Sequence, residues 1–212
     1  MLEATGERIV KGFSDSERDR IRQGLLKAGR EMFSTFGIER TRISDLTDEV
    51  GIAQSTFYQF FDSKEALYFE VLRREQRRIA DGFETAVADA PDMRSEVIAG
   101  FGFFFSELES NQLYYKLIVM DDLEQLFSGA SEAELESFYD DQLETIEPHV
   151  QRWTEADGFR IDDPAELVGI FRMLAYTIVA KDRFENLEAD INGFDSAHET
   201  LVEAIADGLF TE

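Results

Sequence analysis

Apolar residues return at three- and four-residue steps along most of the chain, strand-like alternation is nearly absent, and no internal repeat breaks the pattern. That periodicity predicts an all-α protein. Ser14-Asp15-Ser16-Glu17 has the form of a capping box, and Ile21, Leu25, Ala28, Met32 and Phe36 follow on one helical face until Gly37 ends the run. Thr41 is placed to cap a second helix carrying Ile43, Leu46 and Val50, with Gly51 as its stop. A short third helix is predicted over 54–60, and Asp62-Ser63-Lys64-Glu65 opens a fourth through Leu67, Val71 and Leu72 towards Arg78. After the Ala90-Pro91-Asp92 break, Val97, Phe101, Phe104 and Leu108 line a fifth helix, with Ile98 and Phe105 widening the stripe. Two more are predicted over 113–127 and 132–153. The second of these turns Leu135, Phe138, Leu143, Ile146, Val150 and Trp153 inward and bends at Pro148. Asp163-Pro164 starts a helix with Leu167, Ile170, Phe171, Leu174 and Ile178. Ser196-Ala197-His198-Glu199 starts the last, with Leu201, Val202, Ile205, Leu209 and Phe210.

The stretch GIAQSTFYQFF, residues 51–61, follows a different logic. Leu46, Val50, Ile52, Phe57 and Phe60 have the spacing of the small core of a helix-turn-helix, and Gly51 supplies the left-handed backbone of its turn. Gln54, Ser55, Thr56, Tyr58 and Gln59 then have nothing to pack on and project outward. Uncharged, hydrogen-bonding side chains at the start of a short helix suit base edges in a major groove, and acids there would be repelled by phosphate. The spacing alone fits a solvated face of an ordinary three-helix bundle equally well.

Charge changes the balance. Of the 212 residues, 45 are acidic and 21 basic, a formal net charge of -24, and sixteen of the bases are Arg. Residues 1–80 hold 14 bases and 14 acids, whereas residues 81–212 hold 7 bases and 31 acids. A polyanionic partner can therefore approach only the first third of the chain. The acid excess suits a salt-adapted (halophilic) cytoplasm, in which carboxylates keep the surface hydrated while salt screens their repulsion; an ordinary acidic mesophilic protein is the alternative. With 43% hydrophobic residues, the chain can bury the core of one large or two small domains. No apolar run is long enough to span a membrane and the first twenty residues lack a secretory apolar stretch, so a cytoplasmic protein with no membrane partner is expected. Cysteine is absent, which excludes disulfides and thiolate ligands, and His149 and His198 stand apart, so neither a metal nor a cofactor is expected.

From Ile21 to Glu75 the sequence closely resembles the DNA-binding domain of the tetracycline-repressor (TetR) family of transcriptional regulators. The resemblance rests on LLKAGREMFSTFGIERTRISDLTDEVGIAQSTFYQFFDSKEALYFEVL, with Ala28, Gly29 and Phe33, then Phe36-Gly37, Thr41, Gly51-Ile52, Thr56-Phe57-Tyr58, Phe61 and Ser63-Lys64-Glu65-Ala66-Leu67 in order. It implies a three-helix DNA-binding domain at 1–63, a connecting helix at 64–80, and a larger helical ligand-binding and dimerisation domain at 81–212. It further implies phosphate contacts from Thr41, Lys64 and Tyr58, and base or nearby backbone contacts from Gln54, Ser55, Thr56 and Gln59. Arg42 is an added phosphate candidate. Arg18, Arg20 and Arg22 either reach the duplex or pair with Glu17 and Asp19 along a helix face. Two positions depart from the family pattern: Thr47 replaces a small Ala, and Ala53 replaces a Ser that commonly caps the recognition helix.

One such module reads about one half-site, so a homodimer on a palindromic double-stranded DNA operator is expected, paired through helices over 165–181 and 197–210 as the resemblance implies. Phe101, Phe104, Phe105, Tyr114, Phe127, Phe138, Trp153, Phe171 and Tyr176 are candidates to line a pocket for a bulky apolar or aromatic effector, with core packing as the alternative for each. The expectation is a ligand-responsive repressor released from DNA by a hydrophobic small molecule. Nothing in the sequence pairs a nucleophile with a base or forms a phosphate loop, so no catalytic residue is expected. The competing class is a helical interaction protein whose helix-turn-helix no longer binds DNA.

Overall fold

A computed structural model describes residues 13–119, 146–181 and 193–211, and holds nine α-helices among them. The chain divides into two compact units, the first ending at Tyr68 and the second beginning at Phe69.

In the first unit, α1 (Asp15–Arg40) starts as its sequence predicts. The Ser14 hydroxyl accepts from the Glu17 N–H while the Glu17 carboxylate accepts from the Ser14 N–H at 2.9 Å. Ile21, Leu25, Leu26, Ala28 and Phe33 form its buried face. Gly37 interrupts the helix at φ 76°, and this turn sends Ile38 into the core while Phe36, which the spacing places inside, is left 57% exposed. α2 (Ile43–Val50) begins one residue later than a Thr41 cap would allow: Arg42 occupies the cap position without a side-chain bond. Gly51 stops α2 at φ 72°, where its N–H reaches the Asp48 carbonyl and the Ile52 N–H donates to the Thr47 carbonyl at 3.0 Å.

α3 (Gln54–Phe57) is shorter than predicted, but turn bonds carry the coil on, with the Gln59, Phe60 and Phe61 N–H groups donating to the carbonyls of Thr56, Phe57 and Phe57. Leu46 and Phe57 are fully buried. The third apolar anchor is Phe61, 6% exposed and 5.9 Å from the Phe57 ring, rather than the half-buried Phe60. A four-residue step brings Phe61 within about 40° of the Phe57 direction, closer than the roughly 60° offset of Phe60. α4 (Lys64–Val87) opens with the Ser63 hydroxyl accepting from the Ala66 N–H at 3.1 Å and runs past the predicted end near Arg78.

The second unit contains the rest of α4, then α5 (Met93–Ser110), α6 (Gln112–Val119), α7 (Glu147–Thr154), α8 (Pro164–Val179) and α9 (Phe194–Gly208). Asp163 caps α8 by accepting from the Ala165 N–H at 2.9 Å, as the sequence indicates, and Asp92, read in the sequence only as part of a break, caps α5 by accepting from the Ser95 N–H at 2.7 Å. Pro148 sits in the first turn of α7, where a missing N–H costs nothing. α9 begins earlier than the Ser196 signal, with Gly193 at its cap. The remainder of the helices predicted over 113–127 and 132–153 lies outside the described residues.

Rings fill the core of this unit. Phe83 stacks on Phe104 at 5.2 Å, Phe104 meets Phe171 at 5.1 Å, and Phe105 stacks on Phe171 at 5.6 Å. Gly100 makes the approach possible, since a Cβ there would lie 3.0 Å from Phe83 and 3.5 Å from Trp153. Polar ties bound this core. Glu75, 5% exposed, accepts from the Asn111 amide and the Arg78 Nε, both at 2.7 Å, and Arg78 also pairs with Glu107. His149 lies between Glu96 at 2.8 Å and Glu84 at 3.0 Å, joining α4, α5 and α7.

Gly51→Ala tests the turn. No atom lies within 4 Å of the added Cβ, so the cost is backbone strain alone. Urea denaturation should show a loss of about 1–2 kcal/mol with an unchanged m-value.

Candidate nucleic-acid interface

The polar residues singled out in the sequence separate into two groups. Gln54, Ser55, Tyr58 and Gln59 are exposed on α3 and the turn after it, Tyr58 to 57%, and Thr56 is half-buried beside them. Burial of Phe57 and Phe61 sets this orientation. Arg42 is exposed at the start of α2. No charged residue occurs between Gly51 and Phe61, so this surface offers hydrogen-bond donors and acceptors without a repelling carboxylate.

Thr41 and Lys64, to which the resemblance assigns phosphate contacts, turn inward. Thr41 is 2% exposed and its hydroxyl donates to the Gly37 carbonyl at 2.8 Å. The Lys64 ammonium donates to the carbonyls of Ile38 at 2.6 Å and Thr41 at 3.1 Å. The physical reason is shared: the Gly37 turn leaves the carbonyls of the α1–α2 link without helical partners, and these two side chains satisfy them. Thr47 is accommodated in the same way, since its hydroxyl donates to the Ile43 and Ser44 carbonyls at 2.9 and 3.0 Å while the residue stays buried. Ala53 leaves α3 without a side-chain cap.

The ring set proposed for an effector pocket is mostly packed solid. Phe101, Phe104, Phe105 and Trp153 are buried, Phe171 and Tyr114 are half-buried against the same core, and Tyr176 is 55% exposed on the outside of α8. Burial, reinforced by the Glu107 carboxylate, pushes the Tyr114 phenol above its ordinary value. Phe127 and Phe138 lie outside the described residues.

A cavity of about 410 Å³ opens elsewhere, between α5, α8 and α9. Its apolar lining is Ile98, Phe105, Ile178 and Val202, and its acids are Glu109, Asp195, Glu199 and Glu203. Only Phe105 of the predicted set reaches it. Lys181 bonds Asp195 at 2.7 Å and Glu109 at 2.8 Å, and these bonds raise its ammonium above the ordinary range. His198, which the sequence leaves isolated, lines the cavity with its ring 4.6 Å from Phe105 and 5.7 Å from Phe194. The available signal was Phe194 one helical turn before it. Its imidazole is held below the ordinary value chiefly by burial; Lys181 acts in the same direction, and Glu109, Asp195 and Glu199 oppose it. No group of three or more His, Asp or Glu residues suited to a metal occurs among the described residues, and no described helix is long and apolar enough to cross a membrane.

Known proteins place this surface in context. Residues 25–71 match the family of bacterial regulatory proteins, tetR family. The transcriptional activator FasR of Mycolicibacterium smegmatis is 31% identical over 105 residues, 50% of this chain and 48% of FasR. The transcriptional regulator RutR of Escherichia coli is 36% identical over 53 residues, a quarter of each chain. The chain thus spans about half the length of the first of these curated relatives and a quarter of the second. Among solved structures, the fatty acid degradation regulator FadR of Bacillus halodurans superposes with a TM-score of 0.63 over 94% of this chain and 97% of that one; at 16% identity the likeness is one of fold. The named relatives are regulators and not enzymes, in keeping with the absence of any expected catalytic residue.

Two measurements check these assignments. Thr41→Val should lower stability by about 1 kcal/mol and Lys64→Met by about 2 kcal/mol in urea denaturation, as lost carbonyl partners and not merely lost surface charge. For His198 the sign follows from proton binding: with its folded value depressed, the unfolded chain takes up the proton first as pH falls, so stability drops on acidification below the ordinary value of 6.5. His198→Asn should flatten the fall in melting temperature between about pH 7 and pH 5.

Proposed function

We propose that the chain, whose residues 25–71 match the tetR family of bacterial regulatory proteins, is a TetR-family, ligand-responsive, DNA-binding transcriptional regulator that holds a palindromic operator as a homodimer. The observation that carries the reading is the row of exposed, uncharged donors and acceptors on α3, anchored from behind by Phe57 and Phe61. In the proposed complex Gln54, Ser55 and Gln59 meet base edges, Tyr58 and Arg42 meet phosphates, and Thr41 and Lys64 act from within by fixing the link between α1 and α2.

The dimer reading rests on α8 and α9. Met173, Tyr176 and Leu201 are 66%, 55% and 42% exposed, and Ala197, Ala204 and Gly208 add small exposed positions at helical spacing along α9. An apolar face of this kind on a chain of charge -24 supports pairing with a second copy. The cavity between α5, α8 and α9 is the proposed effector site. Its apolar floor suits a bulky hydrophobic or aromatic molecule. Its acidic edge, Glu109, Asp195, Glu199 and Glu203, disfavours a carboxylate or a phosphorylated ligand and favours a neutral or cationic one. Release by such a ligand makes the protein a repressor, with α4, whose residues belong to both units, transmitting the change.

Fluorescence anisotropy on DNA from upstream of the gene, against scrambled duplex, tests the core of this reading. Gln54→Ala should cost about 1–3 kcal/mol on the preferred sequence only, whereas Tyr58→Phe should weaken all sequences alike. If the cytoplasm is saline, specific binding should persist in molar KCl with a shallow salt dependence. Sequence-indifferent or absent binding in both buffers would transfer support to the interaction-protein alternative. Light scattering should give a dimer for the parent and a monomer, still helical, for Tyr176→Asp/Leu201→Asp. A thermal-shift series should show stabilisation by a hydrophobic aromatic amine and none by a long-chain carboxylate.

A further inference from the structure

Three arginines lie in the first turns of α1, and their surroundings differ. Arg22 stands with its guanidinium carbon 5.3 Å from the Phe61 ring, over the core. Arg20 lines the cleft between α1 and α2, whose lining also includes Glu31 and Glu49. Arg18 is exposed, with its guanidinium carbon 5.0 Å over the Phe60 ring and an Nη 3.5 Å from the Gln59 carbonyl oxygen. Phe13 backs the same ring at 6.3 Å. None of the ion pairs between described residues engages Arg18.

Gln59 and Phe60 end the turn that follows α3. Arg18 therefore brings a positive charge to the edge of a segment that has none of its own. A guanidinium over an aromatic face keeps planar N–H edges available for an oxygen pair, which the point charge of a lysine ammonium does not offer. Phe60 is unnecessary for the core, which uses Phe57 and Phe61. Its half-buried ring has a second use as a shelf.

We infer that Arg18 is a phosphate-binding residue, positioned by Phe60, that neutralises a backbone phosphodiester beside the groove entered by α3. The inference rests on the DNA-binding reading and adds to it a residue from outside the helix-turn-helix. Seating the cation before the duplex arrives reduces the ordering cost of the contact. A phosphate contact carries no sequence information, so its loss should be felt equally by every duplex.

The experiment measures the affinity of full-length protein for its preferred duplex and for scrambled duplex across a KCl series. Arg18→Gln should weaken both by a common factor of about 5–10 at low salt and reduce the slope of log K against log salt by about 0.9. Phe60→Leu, which keeps apolar bulk without a ring, should move both duplexes in the same direction by less, and adding it to Arg18→Gln should weaken binding no further. Circular dichroism confirms that each variant is folded. Parental affinity and slope in Arg18→Gln would overturn the inference while leaving the DNA-binding reading intact, and so would a loss confined to one sequence. A parent protein that binds no duplex overturns both.

Discussion

Burial of Phe57 is the constraint on which the first unit depends. Its ring is fully enclosed, with Leu46 and Phe61 as the neighbouring anchors, and it can occupy that place only because Gly51 turns the chain through a left-handed conformation after α2. Once the ring is fixed, a helix of four residues has little freedom left. The 100° advance per residue turns Gln54, Ser55, Tyr58 and Gln59 outward together, so apolar packing decides which polar atoms a partner would meet. Thr41 and Lys64 contribute to the same rigidity by closing the carbonyls left open at Gly37.

The second unit solves a different problem. It contains most of the acid of the chain, and among its described residues cohesion is concentrated in rings while several acids meet a cation. Phe83, Phe104, Phe105 and Phe171 form a continuous series of ring contacts, and aromatic pairs add about 0.5–1.5 kcal/mol each beyond their buried area. Around them Arg78 holds Glu75 and Glu107, Arg94 holds Asp207, and Lys181 holds Glu109 and Asp195. Few bases are present, and several of them tie two helices together.

Much of this architecture is legible in the sequence because caps and glycines act locally. Ser14 with Glu17, Asp163 and Gly51 each mark a helix boundary through bonds within four residues, and each boundary falls where those residues place it. Positions that depend on contacts distant in sequence are less legible. Lys64 has the look of an exposed cation, but its ammonium reaches back 26 residues to the Ile38 carbonyl; Thr41 has the look of a cap, but the turn at Gly37 redirects its hydroxyl to the Gly37 carbonyl. Phe60 and Phe61 are indistinguishable by composition, and only the phase of the turn after α3 selects the second for the core. Among the described aromatic residues, abundance signalled a cavity, whereas the rings fill the space themselves and the opening lies beside His198.

The division of labour within residues 54–61 has an evolutionary consequence. Buried and exposed side chains alternate there so closely that Phe57 and Phe61 hold the fold while Gln54, Ser55 and Gln59 stay exposed. Exchange at Gln54, Ser55 or Gln59 therefore leaves the scaffold's stability almost untouched, because surface substitutions away from structural features usually change it by less than about 0.5 kcal/mol. Such a scaffold can be retargeted by a few substitutions at a time, and each intermediate along that path remains a folded protein.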